Sequence, residues 1–260
     1  MTFRLQGARI AVLAAAVAAV LAHGWKTSAQ APAAPRATAP DAIVANSYPN
    51  PFVTTADFFK MPADRKWGST AGVDIDRDGK SDWIIDRCGG NSCYDAATGK
   101  MSDLDPILHF DENGRLIKSF GAGLIVFPHG IGTDREGNVW VTDGNDNRPS
   151  QGRGAAAAAG GGAGRGPASV GAAAGATKGH QVLKFSPDGK LLMTLGKPGG
   201  AAEPDYFYQP NAVLVAPSGD ILVAETHGAG GGFIYKFDKT GKFLMKWGRP
   251  TDNRTRMLCV

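Results

Sequence analysis

Hydrophobic and polar positions along this chain form short strand-turn-strand units that return three times. In Phe127 to Asp143, FPHGIGTDREGNVWVTD, β-branched and aromatic residues recur near period two in GIGTD and NVWVTD. Arg135-Glu136-Gly137-Asn138 between them supplies hairpin-turn chemistry. The pattern recurs in Ala71 to Asp86 (AGVDIDRDGKSDWIID) and in Gln209 to Glu225 (QPNAVLVAPSGDILVAE), each closing on an acidic residue. A second hairpin follows each unit: FDENGRLIKSFG (Phe110 to Gly121), FSPDGKLLMTLG (Phe185 to Gly196) and FDKTGKFLMKWG (Phe237 to Gly248), with Gly at the turn and a closing Gly.

Joining the two elements predicts four antiparallel strands per unit, repeated, which is the pattern of a β-propeller blade. The first two copies are 58 residues apart, Gly72 to Gly130. That exceeds the roughly 40 to 50 of common propeller repeats, so the excess is assigned to loops. The fold class read from the chain is all-β, with about three blades. After Gly248, RPTDNRTRMLCV shows neither a strand pattern nor a fourth copy. Three blades do not close a ring, so open sheet edges and self-association through them are expected.

Outside the repeats, Met1 to Ala29 reads as a signal peptide: Arg4 and Arg9, an apolar run from Ile10 to Ala22, then small residues at Thr27-Ser28-Ala29. An uncleaved anchor is the alternative, but the run is short for a membrane span. The organisation is therefore a signal over 1–29, a disordered Ala/Pro leader over 30–47, a partial propeller over 48–248 and an irregular tail over 249–260. An Ala/Gly-rich insert, 149–179, interrupts the second blade. The stretch from Tyr48 to Ser69 is read as an extended segment lying on the first blade.

The formal charge of +4 includes Arg4, Arg9 and Lys26 of the signal, which leaves about +1 on the mature chain and disfavours nucleic-acid binding. No stable membrane span remains once the signal is removed, and a periplasmic or extracellular location is expected. In an oxidising compartment, Cys88 and Cys93 across the Gly-containing turn of RCGGNSC predict a local disulfide. A metal-binding pair is the alternative. Cys259 is unassigned.

The repeats resemble NHL-type propeller repeats. PHGIGTDREGNVWVTD, followed by HQVLKFSPDGKLLMTLGKPG and FYQPNAV, resembles the peptidyl-α-hydroxyglycine α-amidating lyase branch, from about Trp67 to Gly248. The resemblance implies a six-bladed propeller of which this chain holds roughly the first half, and truncation is the favoured explanation. It also implies a catalytic zinc held by three His, of which His129 matches the first, while Asn211 stands at the blade that lacks a ligand and the other two fall beyond Val260. The alternative for His129 is a channel imidazole bonded to backbone.

A structural calcium held partly by main-chain oxygens is implied at Val73 and Ile131, against the plainer reading of ordinary strand residues. Arg87 matches the substrate-contacting Arg of the family; a guanidinium there would orient a peptide carboxylate. Its alternative is a surface ion pair. The family's Tyr base is replaced by His227, an imidazole that titrates near neutrality, or else a plain loop residue. Tyr208 stands where animal enzymes carry a disulfide Cys. His109 and His180 read as structural, and Asp134, Asp143 and Glu225 as turn caps.

Three functions follow from these readings. The first is an exported, zinc-dependent carbon–nitrogen lyase that releases glyoxylate from α-hydroxyglycine. The second is a non-catalytic propeller that binds a peptide or small molecule. A gluconolactonase-like hydrolase is the third, disfavoured because the blade entrances lack acidic metal ligands. Fold alone does not choose among them.

Overall fold

The computed structural model describes residues 51–148, 175–200, 207–225 and 232–249. The expected signal and leader, the tail from 250 on, His227, Cys259 and most of the 149–179 insert lie outside the described residues. The chain divides into two units, Met1–Thr54 and Thr55–Val260. Of the first, only 51–54 are described, and they carry no regular structure.

In the second unit every described regular element is a strand. Strands β1 (Thr70–Ile75), β2 (Asp82–Asp86), β5 (Ile107–Phe110) and β6 (Leu116–Phe120) form one antiparallel four-stranded sheet in that order. The second sheet consists of β7 (Pro128–Thr133), β8 (Val139–Asp146), β9 (Gly179–Phe185) and β10 (Leu191–Leu195). The third consists of β11 (Pro210–Val215), β12 (Ile221–Glu225), β13 (Gly232–Phe237) and β14 (Phe243–Arg249). Each sheet is an antiparallel meander, so the four-strand unit expected from the repeats is found three times.

A short hairpin not expected from sequence, β3 (Tyr94–Asp95) with β4 (Lys100–Met101), lies between β2 and β5. It accounts for the long first repeat. The low-complexity insert falls between β8 and β9, in a loop, where added length leaves the ladder intact.

Alternation places one face of each sheet against its neighbour. Trp83, Ile85, Ile107 and Phe120 of the first blade meet Val139, Val141, Leu183 and Phe185 of the second. On the other face of the second blade, Trp140, Val182 and Leu195 pack with Val213, Val223, Tyr235 and Phe237 of the third, around Phe207. Burying a side chain of this size contributes about 1.5–3 kcal/mol, so the two blade boundaries are the core. The outer face of the first blade is covered by Phe59 and Met61, which pack on Ile84, Leu108 and Phe110. Trp67 stacks on Phe110 as well, with ring centroids 5.7 Å apart. This is the extended segment expected before the first blade.

The innermost strands approach closely because they carry glycine. A Cβ on Gly72 would lie 3.1 Å from Ile131 Cγ2, and one on Gly132 would lie 3.0 Å from the Val213 carbonyl oxygen. Asp74 completes the joint between the first two blades by accepting hydrogen bonds from Thr133 N (2.6 Å) and Thr133 Oγ1 (2.8 Å).

Candidate functional site

The inner strands begin at one end of the blades, and the chain entering them is held by carboxylates, of which Asp86 and Asp143 are buried and Glu225 partly so. The first residue of each inner strand pairs with an acid of the next strand: Thr70 with Asp86 and Pro210 with Glu225, which end β2 and β12, and Pro128 with Asp143, inside β8. Asp143 accepts hydrogen bonds from Val126 N (2.8 Å) and Phe127 N (2.7 Å). Glu225 accepts one from Tyr208 N (2.9 Å), and Asp86 accepts from Gly68 N, Gly89 N and Arg65 Nη2.

Asp143 and Glu225 bond main-chain N–H groups as expected, but those of the segment entering the inner strand rather than of the hairpin turn. Strand pairing carries them to the far end from the hairpin, where they hold the chain leading into the inner strand. Asp134 does cap its turn, accepting from Glu136 N and Asn138 N, and it also accepts from Trp140 Nε1. Burial pushes both Asp143 and Glu225 up to about 7, against the lowering effect of their backbone hydrogen bonds.

This scaffold presents the segment Phe127-Pro128-His129. The His129 imidazole lies with Nδ1 3.2 Å from the carbonyl oxygen of Asn211, the matching position of the third blade. A carbonyl only accepts, so Nδ1 carries a proton and donates. His129 is thus bonded to backbone.

Arg87 leaves β2 directly after the Asp86 latch and crosses to the second blade. Its Nε donates to the Pro128 carbonyl (3.1 Å) and its Nη1 to Asn91 Oδ1 (2.8 Å). The guanidinium carbon lies 3.5 Å from the centre of the Phe127 ring. The ion pair considered as its alternative is not formed: no carboxylate pairs with Arg87 among the described residues. Burial lowers its pKa. Arg87 and His129 are therefore brought to one place, the second blade's entrance, by contacts on adjacent residues.

The Cys88–Cys93 disulfide is present, with Cα atoms 5.1 Å apart. Val73 and Ile131 fall on neighbouring inner strands, joined through Gly72. Ile131 packs against the boundary between the first two blades, whereas Val73 is exposed.

The other described histidines, His109 and His180, take up packing roles. His109 stacks on Trp83 with centroids 3.9 Å apart and bonds Ser81 Oγ. His180 is fully buried, with Nε2 3.2 Å from Asp146 Oδ2 and Nδ1 accepting from Gln209 N. Tyr208 stacks on the His180 ring, centroids 5.6 Å apart.

A tight zinc site takes about four ligands, or three protein ligands when catalytic. No group of three or more His, Cys, Asp or Glu side chains among the described residues is placed to hold a metal. The described residues alone do not complete such a site. Phe127 and Asn91 were missed in the sequence. The aromatic residue two before His129 was a legible signal, whereas the Asn91 contact depends on the fold of the disulfide loop.

No protein-family model matches the chain. It is 30% identical over 154 residues to a peptidylglycine alpha-amidating monooxygenase of Rattus norvegicus, covering 56% of this chain and 12% of that protein. It is 28% identical over 144 residues to peptidyl-alpha-hydroxyglycine alpha-amidating lyase 1 of Drosophila melanogaster, covering 53% and 20%. A probable lyase of the same name from Caenorhabditis elegans is 30% identical over 140 residues, covering 53% and 30%. The matches thus span under a third of the length of each of these relatives. Among solved structures, a gluconolactonase of Xanthomonas campestris aligns at 16% identity with a TM-score of 0.37, covering 71% of this chain and 48% of that one. A virginiamycin B lyase of Staphylococcus aureus aligns at 12% identity with a TM-score of 0.33, covering 70% and 56%. No helix among the described residues is long and apolar enough to cross a membrane.

Proposed function

We propose that this chain contributes NHL-type propeller blades to an exported protein of the amidating-lyase class, and that Arg87 holds the carboxylate of its ligand. The observation that carries this is Arg87 itself. A half-buried guanidinium, stacked on Phe127 and bonded to Pro128 and Asn91, has no acidic partner among the described residues and keeps its charge. A carboxylate fits both the charge and the fork geometry. His129 on the adjoining residue places an imidazole beside that anchor.

In the reaction the proposal assigns, the N–Cα bond of an α-hydroxyglycine breaks. The hydroxyl carbon becomes the aldehyde of glyoxylate, and the hydroxyl proton passes to the departing amide nitrogen. Arg87 orients the substrate. Zinc is the proposed cofactor, with His129 as the donor this chain supplies; the remaining donors are not among the described residues. Export accords with the signal-like segment and with the disulfide.

The test is calorimetric binding of hippurate, a carboxylate probe with a glycine end, to wild type and to Arg87→Ala, followed by assay of glyoxylate release from α-hydroxyhippurate with zinc supplied. Binding lost in the variant supports the carboxylate anchor. Glyoxylate release supports the lyase, whereas Arg87-dependent binding without release selects the alternative, a non-catalytic binding propeller. Equal binding by wild type and variant rejects the anchor.

A further inference from the structure

The loop that follows Arg87 is closed on itself and fastened to the segment on which Arg87 rests. Cys88 and Cys93 are bridged, with five residues' separation, and Cys88 and Gly89 both adopt left-handed backbone, φ 54° and 70°. A non-glycine residue in that region is held there by its surroundings, here the bridge and the Gly90 N to Arg87 carbonyl bond of 3.1 Å. At the loop's far end, Cys93 is buried, its N donates to the Val126 carbonyl (2.9 Å), and Ser92 Oγ donates to the same oxygen (3.1 Å). The next two residues, Phe127 and Pro128, supply the ring and the carbonyl that hold Arg87. Asn91 lies inside this closed loop, and its Oδ1 is the remaining fixed contact of the guanidinium.

We infer that Asn91 is a positioning residue for Arg87, and that the Cys88–Cys93 bridge holds Asn91 in place, so that carboxylate binding depends on the bridge being closed. The binding half of this inference rests on the function proposed above; the positioning half does not. An arginine side chain has many rotamers, and the ring and the Pro128 carbonyl constrain one edge of the guanidinium. The Asn91 amide holds Nη1 and so fixes the turn of the planar group about its stem. Opening the loop removes that second constraint, and a ligand must then order the side chain as it binds.

The experiment uses the full chain in four forms: wild type, Asn91→Ala, Asn91→Asp, and wild type reduced with dithiothreitol. Dithiothreitol supplies two electrons and two protons, and itself becomes the cyclic disulfide while the bridge opens to two thiols. Two quantities are read, exchange of the Arg87 Nε–H with solvent by nitrogen-15 NMR and the hippurate dissociation constant. The expected result is a slowly exchanging Nε–H in oxidised wild type, and fast exchange with roughly tenfold weaker hippurate binding in Asn91→Ala and in the reduced protein.

Asn91→Asp separates positioning from simple loop integrity. It keeps the acceptor, so Nε–H stays protected, but its carboxylate competes with the ligand for Arg87 and binding weakens. A merely structural Asn91 would leave Asn91→Asp binding hippurate like wild type, which overturns the inference. Unchanged Nε–H exchange in both Asn91→Ala and the reduced protein also overturns it. Should no form bind hippurate while Nε–H exchange responds as expected, the positioning role stands and the proposed carboxylate anchor falls.

Discussion

Replacing Gly130 by alanine tests whether the close approach of β7 to β11 sets the site. A Cβ there would fall inside van der Waals contact of the Asn211 carbonyl oxygen, 3.0 Å from Ala212 Cα and 3.1 Å from the Asn211 carbonyl carbon. All three atoms are backbone of a strand paired to β12, so no flexible side chain yields. Overpacking of this kind costs about 1–3 kcal/mol, and the upper end applies because backbone must move. Alanine also restricts the unfolded chain, which offsets about 0.4–1 kcal/mol. A net loss of about 2 kcal/mol is expected for Gly130→Ala.

Two other glycines calibrate that figure. Gly132→Ala meets the Val213 carbonyl oxygen at 3.0 Å and nothing else closely, so a loss of about 1 kcal/mol is expected. Gly144→Ala meets His129 and Phe127 side chains at 3.5 Å, ordinary contact, and should lie within about 0.5 kcal/mol of wild type. Urea denaturation followed by tryptophan fluorescence measures the three. The Asn211 oxygen displaced by Gly130→Ala is the one that His129 bonds, so the His129 ring resonances should shift in that variant and remain in place in Gly132→Ala. Gly130→Ala as stable as wild type, or less costly than Gly144→Ala, would refute the packing argument.

Further outcomes follow from the latches, the bridge and the ring. Asp143 and Glu225 are raised to about 7 in the folded chain, above the ordinary carboxylate values, so the folded state binds their protons more readily. Their stabilisation is complete below about pH 4 and is lost as pH rises through about 7. Urea midpoints should therefore fall between pH 5 and pH 8, and Asp143→Asn should flatten that slope; a rising midpoint would contradict the assignment. Opening the Cys88–Cys93 bridge, which spans a separation of 5, should lower stability by about 2 kcal/mol on loop-closure grounds, read as a shift in urea midpoint with and without dithiothreitol. Phe127→Leu removes the ring under Arg87 and should weaken hippurate binding about threefold to tenfold, with the pH profile of stability unchanged because the Asp143 latch uses the Phe127 backbone.

The blades were readable in the linear order because their information is local. Period-two alternation, Gly turns and closing glycines state the strand positions outright, and three copies fix the repeat. The Cys88–Cys93 bridge was readable for the same reason, since both partners flank one turn. The candidate site was legible only through Arg87 and His129, residue types whose chemistry shows on its own. Asn91 and Phe127 acquire meaning from where the chain returns: Arg87 and Phe127 are 40 positions apart and meet because β7 docks beside β1 and β2. The acids at Asp86, Asp143 and Glu225 repeated visibly, yet each takes at least one N–H group from 16 to 18 residues earlier in the chain. Hydrogen bonds to main chain leave no trace in the identity of the donor residue, so antiparallel pairing alone selects which N–H each carboxylate receives.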